Sequence, residues 1–130
     1  MALLIDSGFY IKQQRAGVDI WHQLVPLLQS GELYSCGIVR VEVFRGIRNA
    51  SLKRDLEDFF DILPEIPTDI SLWQEATDLA WSLDRKGHVL PLADLVIGCC
   101  ALRVDATLIT TDPHFQKVPH LKIRSHLPPH

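Results

Sequence analysis

Four acidic residues, Asp6, Glu42, Asp94 and Asp112, stand near the ends of apolar segments, where a strand should give way to a helix or a helix should begin. The strand-like run Leu3-Leu4-Ile5 delivers Asp6, and Thr107-Leu108-Ile109-Thr110 delivers Asp112 two residues past its end. Asp94 opens the apolar run Leu95 to Leu102, and Glu42 sits in the helical-looking stretch Ile38 to Gly46. Strand ends of a parallel sheet are where ligands collect, so the four acids suggest one shared metal site. Carboxylates brought within about 5 Å of one another repel by roughly 3 kcal/mol per pair at an effective dielectric of about 20. Either some remain protonated with raised pKa values, or a divalent cation neutralises them. Oxygen ligands alone favour Mg²⁺ or Mn²⁺, which keeps several waters and completes its shell with substrate phosphate oxygens. That is the chemistry of phosphodiester hydrolysis: one metal activates the attacking water, and a second, where present, stabilises the leaving oxygen.

The elements that must position these acids alternate. A first strand at about residues 2 to 6 is apolar throughout and is expected at the centre of a parallel sheet. Ser7-Gly8 turns the chain into a short helix. Ile20 to Gln29 has a helical period interrupted by Pro26 and closed by Ser30-Gly31. Leu33 to Cys36 reads as a short strand, followed by helices near Ile38 to Ile47 and Ala50 to Leu63. Pro64-Glu65-Ile66-Pro67 fits only an edge strand or an extended link, because each proline removes a ladder donor. Ile70 to Lys86 is the longest amphipathic helix, stopped by Gly87, and a further helix begins at Pro91-Leu92-Ala93-Asp94 and runs to about Val104. Final strands are expected at Thr107 to Thr110 and Leu121 to Arg124, giving an α/β fold with a parallel sheet.

At 130 residues with 47% hydrophobic content, the chain fits one domain, 1–130, with a single substantial core. The net charge of −3 argues against wholesale attraction to nucleic acid. Arg40, Arg45, Arg48, Lys53 and Arg54 nevertheless form a basic cluster beside Glu42, which reads either as a local basic lip for nucleic acid or as a solvated helix face with internal ion pairs. Cys36, Cys99 and Cys100 lack ligand spacing and look like reduced core thiols, and the six histidines, His22, His88, His114, His120, His126 and His130, show no metal-ligand spacing either. His114 is expected at the surface, and Trp73 and Trp81 in the core or at a subunit contact. No apolar run of 18 residues exists and the N-terminal apolar stretch is too short for a signal peptide, so a cytoplasmic protein with no membrane attachment is expected.

Taken in order, Leu-Leu-Ile-Asp6-Ser7, Val41-Glu42-Val43-Phe44-Arg45-Gly46, Leu-Pro-Leu-Ala-Asp94-Leu-Val-Ile and Leu-Ile-Thr-Thr-Asp112-Pro-His-Phe115 resemble the PIN-domain family, in particular the VapC-type toxins of bacterial and archaeal toxin–antitoxin pairs. The resemblance spans nearly the whole chain. It implies a PIN-like three-layer sandwich, with a central parallel sheet of four to five strands flanked by helices, and an endoribonuclease dependent on Mg²⁺ or Mn²⁺. Under it Asp6 and Asp94 are primary metal ligands, Glu42 holds the metal or orients a metal-bound water, and Asp112 completes the pocket directly or through water. Ser7 and Thr110 steady the carboxylates by hydrogen bonds. The resemblance also implies an RNA substrate, a cognate antitoxin that inserts a basic residue into the acidic pocket, and a homodimer.

The chain departs from the family pattern at Cys36-Gly37-Ile38-Val39, where a Ser-Ala-Ile-Thr type of sequence is common, and at Gly8, where Ser or Asn is usual. Neither change removes a charge. Singly, Glu42 could pair with Arg45 on a helix surface, Asp112 could be a turn residue before Pro113, and Asp94 could be an ordinary first-turn acid. Asp6 resists such a reading, since an acid directly after a buried strand is costly unless bound or hydrogen-bonded. A phosphatase of the haloacid-dehalogenase type would need a second aspartate two residues after the first, where Gly8 stands. A catalytically silent PIN-like module, whose pocket only binds a protein partner or RNA, is the remaining alternative.

Overall fold

In a computed structural model, which describes residues 1–129, the chain forms five strands and six α-helices. The order is β1 (Leu3–Ile5), α1 (Ser7–Arg15), α2 (Trp21–Gln29), β2 (Leu33–Cys36), α3 (Gly37–Arg45), α4 (Ala50–Ile62), β3 (Glu65–Ile66), α5 (Ile70–Arg85), α6 (Leu92–Arg103), β4 (Thr107–Ile109) and β5 (Lys122–Arg124), with a 3₁₀ turn at Pro113–Lys117. All pairings are parallel, and the sheet order is β3-β2-β1-β4-β5. β1 is central as its apolar run requires: Leu3, Leu4 and Ile5 are fully buried. The proline-flanked β3 is an edge strand, where the missing donors cost no ladder bond.

One hydrophobic core joins the sheet to α1, α2, α3, α4, α5 and α6, with Phe9, Leu24, Val39, Phe60, Leu72 and Ile97 among its members. Tyr10, Phe44 and Phe60 pack ring to ring with centroids 5.3–5.4 Å apart, locking α1, α3 and α4 together. α6 is apolar on nearly every side because it is buried on nearly every side, from Leu95 to Ala101. The thiols are as the sequence suggested: Cys36, Cys99 and Cys100 are free and buried. Among the described residues, no helix is long and apolar enough to cross a membrane.

The structure changes one expectation and narrows others. α2 runs unbroken through Pro26, which lies in the helix without ending it. The segment after β4, to which the sequence assigned no element, winds into a 3₁₀ turn because Asp112 accepts a 2.9 Å hydrogen bond from the His114 backbone N–H and Pro113 fixes the first residue. Trp73 and Trp81, expected in the core or at a subunit contact, are 45% and 63% exposed, which removes the core reading alone. His130 lies outside the described residues.

Candidate functional site

Asp6 occupies the N-cap position of α1 without committing its side chain to the cap. It is 5% exposed, yet two hydroxyls face it. Thr110 Oγ1 donates to Asp6 Oδ2 at 2.9 Å. Ser7 Oγ lies 3.4 Å from Asp6 Oδ1 and donates to Glu42 Oε1 at 2.8 Å. Thr110 also accepts the Asp112 backbone N–H at 3.0 Å, so a single hydroxyl ties the ends of β1 and β4 and the start of the following turn. These contacts follow from parallel register, in which Ile5 pairs with Ile109 and the next residue of each strand emerges at the same edge.

The structure therefore brings Asp6, Glu42, Asp94 and Asp112 into one cluster from the end of β1, α3, α6 and the end of β4. Asp94 stands in the first turn of α6 with its side chain 14% exposed, and Asp112 is 35% exposed. Burial pushes the Asp6 carboxyl above its ordinary range, with smaller upward contributions from Asp112 and Glu42, and the Thr110 hydroxyl and the backbone at Gly8 pull it partly back. Burial, then Asp112 and Asp6, raise Asp94 to about 6, opposed by His114. Gly8 matters here for space: a Cβ at that position would stand 3.3 Å from Asp6 Oδ2.

His114 is exposed, as expected, but sequence reading missed what its ring faces. Nδ1 lies 3.1 Å from Asp112 Oδ1 and 3.3 Å from Asp94 Oδ2. One ligand atom from each of Asp94, Asp112 and His114 falls within 4.8 Å of the others. The signal available in the sequence was its place two residues after Asp112, inside the Asp-Pro-His-Phe run that folds back on itself. Lys12 was also missed: Nζ donates to Thr111 Oγ1 at 2.8 Å, placing a cation at the rim.

Among the described residues, no lysine or arginine forms an ion pair with any of the four acids. A hard divalent ion fits this donor set of carboxylate oxygens and one imidazole nitrogen, because it supplies the positive charge that the side chains do not. The arginines beside Glu42 divide. Arg40 is engaged by Asp61 at 2.7 Å and lies over the Phe44 ring at 5.5 Å, whereas Arg45 and Arg48 are exposed with no ion pair among the described residues. Lys53 is paired with Glu57 at 2.7 Å along α4. Gly46 closes α3 and is exposed.

No curated protein sequence matches the chain. Its fold is that of chains in three solved structures: VapBC2 from Rickettsia felis bound to a DNA fragment from their promoter (TM-score 0.79, 21% identity, covering 95% of this chain and 98% of that one), VapBC-1 from nontypeable Haemophilus influenzae (0.78, 22%, 95% and 97%), and DNA-bound VapBC from Salmonella typhimurium (0.77, 18%, 95% and 97%). The PIN domain family model matches residues 4–121, from the strand that delivers Asp6 to the segment beyond Asp112. The four-acid pocket at the strand ends lies within a chain that belongs to the PIN-domain family.

Proposed function

We propose that the protein is a metal-dependent endoribonuclease and the toxin of a toxin–antitoxin pair. The observation that carries this reading is the convergence of four acids from four separate elements with no arginine or lysine ion-paired to them among the described residues. Asp6, Asp94, Glu42 and Asp112 would hold Mg²⁺ or Mn²⁺. When bound, such an ion lowers the pKa of water and screens the charge of a phosphodiester. The protein's own part is to fix the ligands: Thr110 and Ser7 orient Asp6 and Glu42, and buried β1 and β4 keep the carboxylates from relaxing apart. Arg45, Arg48 and Lys12 are cations suited to RNA phosphates, whereas Arg40 is held by Asp61.

The solved structures of similar fold are toxin–antitoxin complexes, which supports a cognate antitoxin as partner. A mostly apolar cavity of about 270 Å³, lined by Tyr10, Val18, Ile20, Trp21, Leu52 and Leu56, offers anchorage for a partner's apolar side chains. The exposed Ile70, Trp73 and Trp81 on α5 support a homodimer.

Incubation of the purified protein with total RNA and Mg²⁺ or Mn²⁺, with cut sites mapped, tests the reading. Asp6→Asn or Asp94→Asn is expected to lower cleavage at least a hundredfold while circular dichroism and melting remain those of a folded protein. Metal-dependent cleavage retained by both variants refutes the site. No cleavage by the wild type, together with antitoxin binding that Asp94→Asn abolishes, identifies a silent binding module instead.

A further inference from the structure

We propose that His114 is itself a ligand of the metal in this pocket and biases it toward Mn²⁺ over Mg²⁺. The inference rests on the reading that the pocket binds a divalent cation, and adds to it one nitrogen ligand. Two approaches of the imidazole carry it. The first, Nδ1 to Asp112 Oδ1 at 3.1 Å, is local, and the 3₁₀ turn could enforce it alone. The second is not local: Asp94 reaches the same nitrogen at 3.3 Å from the first turn of α6, a separate element. The turn that presents His114 is pinned by fully buried Phe115 and by the bond from the His114 backbone N–H to Asp112 Oδ1.

The geometry suits a shared ion. Ligand atoms on adjacent corners around a cation with bonds of about 2.1 Å stand roughly 3 Å apart. The two imidazole–carboxylate separations are close to that edge, and all three ligand atoms lie within 4.8 Å. Chemistry then sets the preference. Mg²⁺ demands oxygen and gives up water reluctantly, whereas first-row transition ions accept imidazole readily. A pocket built from carboxylates alone would discriminate weakly between Mg²⁺ and Mn²⁺; one nitrogen ligand tilts it to Mn²⁺.

The test needs no RNA. Mn²⁺ and Mg²⁺ binding to the full chain is measured by the electron paramagnetic resonance of free Mn²⁺, with Mg²⁺ as competitor, for the wild type, His114→Ala and Asp94→Asn. The wild type is expected to favour Mn²⁺, and His114→Ala to lose about tenfold in Mn²⁺ affinity with Mg²⁺ affinity changed less than about twofold. Pulsed resonance of the Mn²⁺-bound wild type should show coupling to one imidazole nitrogen that disappears in His114→Ala. This spectrum needs only the wild type, so it stands even where the variant folds poorly. Asp94-dependent Mn²⁺ binding without nitrogen coupling, or equal loss of both ions in His114→Ala, overturns the assignment of His114 and leaves the metal pocket intact. A wild type that binds neither ion overturns this assignment together with the reading beneath it.

Discussion

Thr110 shows how much of the pocket rests on one side chain. Its hydroxyl donates to Asp6 and accepts from the Asp112 backbone, so Thr110→Val, nearly isosteric, removes both bonds at once. A buried carboxylate loses its shorter hydroxyl bond and a half-buried N–H its partner, and we expect a stability loss of about 1–3 kcal/mol with metal affinity down about tenfold or more. Chemical denaturation and metal titration check the two effects. The acids also predict how the metal-free protein responds to pH. Asp94 titrates at about 6 in the fold against an ordinary aspartate value of 3.8. Between those values the folded state holds the extra proton, so stability falls as pH rises and the penalty is complete above about 6. After allowance for partial solvation it is about 1 kcal/mol for Asp94, and Asp6, also raised, acts with the same sign. Melting measured from about pH 4 to 7 should therefore decline relative to Asp94→Asn, and added Mn²⁺ should erase the difference. A wild type that gains on Asp94→Asn across that window would contradict the assignment of buried, mutually repelling acids.

Elements carry information of another kind. The apolar run Leu3-Leu4-Ile5, the prolines around β3 and the Gly87 stop state their structures locally, and the strands and helices appear where period and punctuation put them. The four acids were readable because each sits at an element boundary or on a helix that faces one. The contacts of His114 were not, because its approach to Asp94 depends on how a five-residue 3₁₀ turn packs against α6, which no local pattern encodes. Arg40 was similarly opaque: beside Glu42 in sequence, it is drawn to Asp61 by the packing of α3 and α4. Arg45 and Arg48, like Arg54 farther along, have no ion pair among the described residues and are free to meet phosphate. Changing both to Ala should weaken RNA binding and flatten its dependence on salt by about two units of log–log slope. An unchanged slope would assign them to protein contacts.

For the molecule as a whole, the exposed face of α5 is its most conspicuous apolar surface. Ile70 at 75%, Trp73 at 45% and Trp81 at 63% are spaced along one helix, and Arg85 lies over the Trp81 ring at 4.7 Å. Isolated apolar residues at a surface are ordinary, but two tryptophans and an isoleucine on one helix suit a contact between copies. Sedimentation of the wild type should show a dimer, and Trp73→Ser with Trp81→Ser should shift it to monomer without loss of melting temperature. A wild type that stays monomeric at high concentration would reserve that face for another partner. Here too the sequence stated less than the fold: amphipathic spacing placed both rings on a helix but not on its outer side.

The parallel pairing of β1 with β4 joins Leu3 to Thr107, with α1 to α6, β2 and β3 lying between them in the chain. Contacts so distant in sequence form late, after the intervening chain has been made. While the protein is being synthesised, Asp6 emerges early and waits without Thr110, Asp94 or Asp112. A copy that lacks the stretch from Asp94 to Asp112 has no complete set of acids, so the cluster is assembled only once the chain through β4 has been made. An enzyme that attacks RNA would thus be harmless to the ribosome and message producing it until that stretch has emerged, a safeguard written into the strand order.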